Sequence, residues 1–162
     1  MSEKIIKQRN ELARAVDELK RRGKKIVLTN GGFNIIHVGH VRSLRDAKSR
    51  GDVLVVAINS DESLKRLKGS NYPVMPEDER LEILSAFGFI DLLTVFSEPT
   101  ADSLLLALKP HIHAKGTDYT EDSVPERTTV QSYGGSIAIV GDPKQHATSD
   151  IIRRIKKTCS NK

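Results

Sequence analysis

Residues 25–40 read Lys25-Ile26-Val27-Leu28-Thr29-Asn30-Gly31-Gly32-Phe33-Asn34-Ile35-Ile36-His37-Val38-Gly39-His40. A short apolar strand pattern runs into two glycines, and an amphipathic helix pattern begins beside two histidines three residues apart. Glycine lets a backbone approach a phosphate closely, and a helix N-terminus offers free N–H groups and a favourable dipole. Two imidazoles aimed at one place can stabilise charge on a reacting phosphorus. The stretch therefore points to nucleotide chemistry.

Working outward, residues 2–22 read as a helix with Ile5, Leu12, Val16 and Leu19 near one face and Gly23 as its stop. Strands are expected at 26–30, 53–59, 91–96, 112–115 and 136–140, and helices at 39–50, 77–87, 100–108 and about 149–158. The run at 53–59, Val-Leu-Val-Val-Ala-Ile-Asn, is apolar throughout, as in a parallel strand covered on both faces. Alternating strands and helices predict an α/β fold, a doubly wound, Rossmann-like parallel five-stranded sheet with helices on both faces. Ligands on such sheets bind beyond the carboxyl ends of the strands. No repeat or linker divides the chain, so residues 1–162 are expected to form one domain, with an N-terminal helix in 1–24 and the core in 25–156. The segments 60–76 and 116–134 read as long loops, which in compact domains are often functional.

The chain has 162 residues, 38% of them hydrophobic, no Trp and one cysteine, Cys159. That cysteine supports neither an internal disulfide nor a thiolate metal cage. The start of the sequence is charged, no apolar run is long enough to span a bilayer, and a cytoplasmic protein is expected. The net charge of +5 invites a nucleic-acid reading, but its location argues otherwise. Residues 1–25 carry +5 and residues 150–162 carry +4, leaving −4 for residues 26–149. Basic excess confined to two terminal helical segments reads as solvated helix face, so no nucleic-acid partner is expected.

His37 and His40, at i and i+3, lie on one side of the first helical turn. Each can donate to phosphate oxygens, more strongly if protonated. Losing one such donor typically costs ~3–4 kcal/mol of barrier. A zinc site is the rival reading, but no cysteine or carboxylate in that turn completes the shell. Lys65-Arg66-Leu67-Lys68, taken alone, is a solvated basic loop. Arg80 sits in an acidic helix where an ion pair with Glu77 competes with any ligand role. Lys115-Gly116-Thr117-Asp118-Tyr119 follows a strand and reads equally as a tight polar turn or a binding segment. Thr148 and Ser149 open the last helix, where hydroxyls cap it or hold phosphates.

The pattern Gly-x-Phe-Asn-x-x-His-x-Gly-His over residues 31–40 resembles the signature of the small nucleotidyltransferases with a His-x-Gly-His motif. These include the cytidylyltransferases for glycerol phosphate and the nucleotidyltransferase domain of ADP-heptose synthase. The resemblance runs from about residue 25 to 156. Lys115–Tyr119, Asn59-Ser60-Asp61, Tyr133-Gly134-Gly135 and Pro73-Val74 followed by Arg80 resemble the heptose-type domain in particular. It implies catalytic roles for His37, His40, Lys68 and Arg80, and contact of Lys65 and Lys68 with the acceptor's phosphate. It implies nucleotide binding by Asn30, Gly31, Gly32, Phe33, Asn34, Gly39, Lys115, Gly116, Asp118, Thr148 and Ser149. Mg²⁺ would come with the nucleoside triphosphate, with no metal site of the protein's own. The implied partners are ATP (or CTP) and a small phosphorylated acceptor, in a homodimer with no membrane attachment.

Two departures stand out: Asn34 replaces the family's usual Asp, and Ala147 replaces a hydroxyl. The expected reaction is adenylyl transfer to heptose 1-phosphate, as in lipopolysaccharide biosynthesis. Cytidylyl transfer to glycerol 3-phosphate is the same-class alternative. A nucleotide-binding protein without catalysis is the alternative that Asn34 and Ala147 motivate.

Overall fold

Strand β1 (Ile26–Gly31) lies at the centre of a parallel five-stranded sheet, in a computed structural model that describes residues 3–143 and 148–159. The strand order is β3 (Leu92–Phe96), β2 (Val53–Asn59), β1, β4 (Ile112–Gly116), β5 (Ser136–Val140). Register is set from the centre: Ile26 lies opposite Val53, and Val27 opposite Ile112. The chain winds outward from β1 first in one direction and then in the other. The crevice between β1 and β4 is thus the topological switch point, where such sheets bind ligands.

Both faces are covered. Every residue of β2 is buried, and alternate side chains serve opposite layers. Leu54, Val56 and Ile58 pack with Leu44 and Ala47 of α2 (Val38–Ser49) and with Leu81 and Leu84 of α4 (Glu77–Ser85). Val53, Val55 and Ala57 pack with Leu12 and Val16 of α1 (Arg9–Arg21). The same layer holds Leu104, Leu105 and Leu108 of α5 (Asp102–Leu108) and Val130 of α6 (Arg127–Ser132). An uninterrupted apolar strand is what a sheet covered on both faces requires.

Three expectations are corrected. The first helix begins at Arg9, not near residue 2, because the sheet edge takes the preceding segment. Ile5 bridges to Leu93, Leu93 N–H donates to Lys4 O at 2.8 Å and Ile6 N–H donates to Leu93 O at 2.9 Å. The segment 60–76 is not all loop: α3 (Asp61–Lys68) begins where Ser60 Oγ accepts from Ser63 N–H at 3.1 Å. Asp61 and Glu62 at its start and Lys65, Arg66 and Lys68 at its end suit the helix dipole. The segment 116–134 likewise contains a 3-10 turn at Glu121–Ser123 and then α6. The last helix, α7, runs Thr148–Cys159. Ala147 lies outside the described residues.

Candidate active site

The C-terminal ends of β1, β4 and β5 and the N-terminus of α2 meet around two adjoining cavities, of about 380 and 460 Å³. Volumes of this size are typical of small-molecule sites. His40, Ser43, Lys68, Gly116 and Asp118 belong to both and form the wall between them.

At that wall the glycine–histidine turn is folded tightly. Phe33 adopts φ +46°, a left-handed conformation that costs a non-glycine residue on the order of 1–3 kcal/mol. The turn lays its ring back on Gly31, where a Cβ would come within 3.2 Å of it. A Cβ on Gly32 would stand 3.0 Å from Leu64 of α3. The two glycines thus serve packing within the turn as well as any approach by a ligand. His37 is the N-cap of α2, in extended conformation. Its backbone N–H donates to Nδ1 of His40 at 3.4 Å, and the two rings lie 3.9 Å apart. Phe33 flanks His40 as well, at 5.2 Å.

That environment fixes the state of His40. Burial first, then the positive fields of His37 and Lys68, lowers its pKa to about 4. The imidazole is neutral near pH 7, so it donates as a neutral ring and not in the stronger, protonated form. With Nδ1 accepting, the proton sits on Nε2, which can donate to a phosphate oxygen. Lys68, the last residue of α3, brings its ammonium to 5.8 Å from the centre of the Tyr72 ring.

Of the expected residues, His37, Gly39, Thr148 and Ser149 line the first cavity only. Asn30, Gly31, Gly32, Phe33 and Lys115 line the second only, and Lys68, Gly116 and Asp118 line both. Three line neither. Lys65 is exposed on α3. Asn34 is buried, and its Oδ1 accepts from Val74 N–H at 2.6 Å and Met75 N–H at 3.4 Å. Arg80 is fully buried. It donates through Nε to Met75 O, through Nη1 to Gly32 O and Asn59 O, and through Nη2 to the Asp61 carboxylate. These bonds turn it inward, so the expected phosphate contact gives way to a bracing role. The competing pair with Glu77 does not form either, since Glu77 meets Lys7.

Sequence reasoning missed other lining residues. Ser43 follows His40 by three positions and so shares its helix face, a signal that was available. Gly141 and Asp142 come directly after β5, at the strand end where such folds place ligands. Gly141 has φ +93° and its Cα passes close to α2: a Cβ there would stand 3.0 Å from Cβ of Ser43. Glu126, in the second cavity, had no local signal.

A family model described as cytidylyltransferase-like matches residues 28–155, the whole span from β1 into α7. The chain belongs to the cytidylyltransferase-like family. The likeness read from the His-x-Gly-His turn therefore holds across most of the chain. "Bifunctional protein HldE" of Pelobacter propionicus is 46% identical over 154 residues, covering 95% of this chain and 32% of that protein. The chain spans about a third of the length of the curated relatives it matches. Among solved structures, the lipopolysaccharide core biosynthesis protein of Thermoplasma volcanium is 27% identical with a TM-score of 0.65, covering 75% of this chain and 100% of that one. Pantoate-beta-alanine ligase of Francisella tularensis, at 17% identity and a TM-score of 0.66, covers 94% of this chain and 76% of its own and shares the family's fold.

Proposed function

We propose that this cytidylyltransferase-like chain transfers the AMP moiety of ATP to a phosphorylated sugar, heptose 1-phosphate, giving an ADP-sugar and pyrophosphate. The observation that carries the reading is the pair of cavities divided by His40 and Lys68 at the ends of β1 and β4. The nucleotide occupies the first, between His37, Gly39, Thr148 and Ser149, and the acceptor occupies the second. An oxygen of the sugar's phosphate attacks the α-phosphorus. The bond from that phosphorus to the bridging oxygen breaks, and pyrophosphate leaves. His40 Nε2–H and Lys68 Nζ stand at the boundary where charge develops on the transferring group. The names of the relatives support the sugar reading: one solved neighbour is a lipopolysaccharide core biosynthesis protein.

Mg²⁺ accompanies the triphosphate in this reading and neutralises part of its charge. Among the described residues, no cluster of three or more His, Cys, Asp or Glu is placed to hold a metal. The first cavity offers the carboxylates of Asp118 and Asp142, the latter paired with Arg42 at 2.8 Å. This set fits an ion carried chiefly by phosphate oxygens. A cytoplasmic homodimer completes the reading; among the described residues no helix is long and apolar enough to cross a membrane.

Asn34 supports catalysis over a binding-only protein. Its side-chain oxygen serves two backbone N–H groups, a task that needs an acceptor and not a charge. The test is pyrophosphate release with ATP or CTP against heptose 1-phosphate and glycerol 3-phosphate. Release with ATP and the sugar phosphate is the expected result. Release only with CTP and glycerol 3-phosphate would keep the chemistry and replace both substrates. Nucleotide binding without release in any combination would overturn the enzyme reading.

A further inference from the structure

The second cavity contains a charged pair to which the transfer scheme above assigns no role. Lys115 Nζ and Glu126 Oε2 lie 3.4 Å apart, and both side chains are nearly inaccessible to solvent. The ammonium also reaches Asn30 Oδ1 at 3.3 Å and lies 4.9 Å from the centre of the Tyr119 ring. Glu126 Oε1 accepts from Ala101 N–H at 3.4 Å, whereas Oε2 accepts no hydrogen bond from the described residues.

The surroundings of the pair are rigidly assigned. An ammonium only donates, so the Asn30 atom facing it is oxygen. His113 then donates to that same oxygen through Nε2, at 2.9 Å. Burial lowers the His113 pKa to about 3, so this imidazole is neutral. The floor of the cavity is a fixed polar surface on which Glu126 Oε2 meets the Lys115 ammonium and accepts no hydrogen bond from the described residues.

The chemistry of the pair selects its ligand. A phosphate calls for net positive charge, but Glu126 cancels Lys115 and repels an approaching anion. An apolar group would bury both charges without replacing any hydrogen bond. A hydroxyl accepts from the ammonium and donates to the carboxylate at once. We infer that the Lys115–Glu126 pair recognises a hydroxyl group of the acceptor, so that the second cavity is shaped for a polyhydroxylated body and not for the nucleotide's phosphates. This rests on the nucleotidyl-transfer reading and moves Lys115 from the nucleotide to the acceptor.

The test is calorimetric titration of the wild type and the double variant K115M/E126Q with two probes, ATP and heptose 1-phosphate. The double variant removes both charges while keeping shape, so neither partner is left buried alone. Loss of a charge-assisted pair should weaken heptose 1-phosphate about tenfold or more. ATP affinity should stay within about twofold, since the pair is not assigned to the nucleotide. Equal weakening of ATP would overturn the assignment in favour of a nucleotide role. Unchanged affinity for both probes would overturn it in favour of internal bracing. If the wild type binds heptose 1-phosphate but releases no pyrophosphate, the transfer reading fails, while the variant's affinities still decide the role of the pair. If the wild type does not bind heptose 1-phosphate, the assignment falls. Pyrophosphate release with glycerol 3-phosphate would then leave nucleotidyl transfer standing. A variant that unfolds is replaced by E126Q alone, read against the same two probes.

Discussion

Arg80 Nη2 meets the Asp61 carboxylate at 2.7 Å, joining α4 to the start of α3 beneath the candidate site. Through the same guanidinium, the ends of β1 and β2 are held at Gly32 O and Asn59 O. Asn34 fastens the segment at Val74 and Met75 to the same turn. The basic end of α3, where Lys68 sits, is thus anchored at the opposite end of its own helix.

Arg80→Met should cost about 3–5 kcal/mol, because it strips three carbonyls and a partly buried carboxylate of their donor. Urea denaturation with an unchanged slope and a lowered midpoint is the expected result. Arg80→Lys should recover only a minor part, since one ammonium cannot span four acceptors. A fall in turnover with an unmoved midpoint would show instead that Arg80 contacts substrate.

Replacing His40 with Ala removes the Nε2–H donor at the wall between the cavities. Turnover should fall on the order of a hundred- to thousand-fold. ATP affinity should change little, because the donor acts on charge that develops during transfer. Near-normal pyrophosphate release by the variant would sink this role. In the wild type, His40 should titrate near pH 4 by NMR and contribute no limb to the rate profile near 6.5.

Asn34→Asp should keep both backbone contacts and leave turnover within about threefold of wild type, since a carboxylate accepts the same two N–H groups. Asn34→Ala leaves those N–H groups without their acceptor and should cost about 1–3 kcal/mol. A large gain in activity on restoring Asp would contradict the acceptor role.

Acid should destabilise the fold through two histidines. His40 and His113 take up protons in the unfolded chain near the ordinary value of 6.5, but in the fold only near 4 and 3. Their contribution is complete above about 6.5 and is lost as pH falls, through about 4 for His40 and about 3 for His113. His113→Gln keeps a donor for Asn30 and removes one of these titrations. The drop in melting temperature between pH 7.5 and 5 should therefore be smaller in that variant. An equal drop in both proteins would show that His113 is not a source of the acid sensitivity.

Much of this was legible in the residues themselves. The apolar run of β2 announced a strand covered on both faces, and the glycine–histidine turn marked the end of the sheet where the two cavities lie. What escaped was encoded by pairing over distance. Nothing local distinguishes an arginine that reaches a phosphate from one that reaches carbonyls at the ends of two strands. Ile5 read as helix by spacing, yet a free strand edge claimed it. Lys65–Lys68 read as loop because α3 shows only Leu64 and Leu67 as apolar guides, while its cap and its charge order carry the helix. Glu126 is joined to Lys115 only once α6 has packed against α5 and β5.

The bridge between Ile5 and Leu93 has a consequence for handling the protein. An outermost strand with bare N–H and C=O groups is a template on which other chains can stack. Here Lys4, Ile5 and Ile6 lie along β3 at Leu93, tied down further by Lys4 Nζ on Ser85 O and Phe87 O. These three residues act as a selvage, finishing that margin of the sheet so that it does not fray into its neighbours.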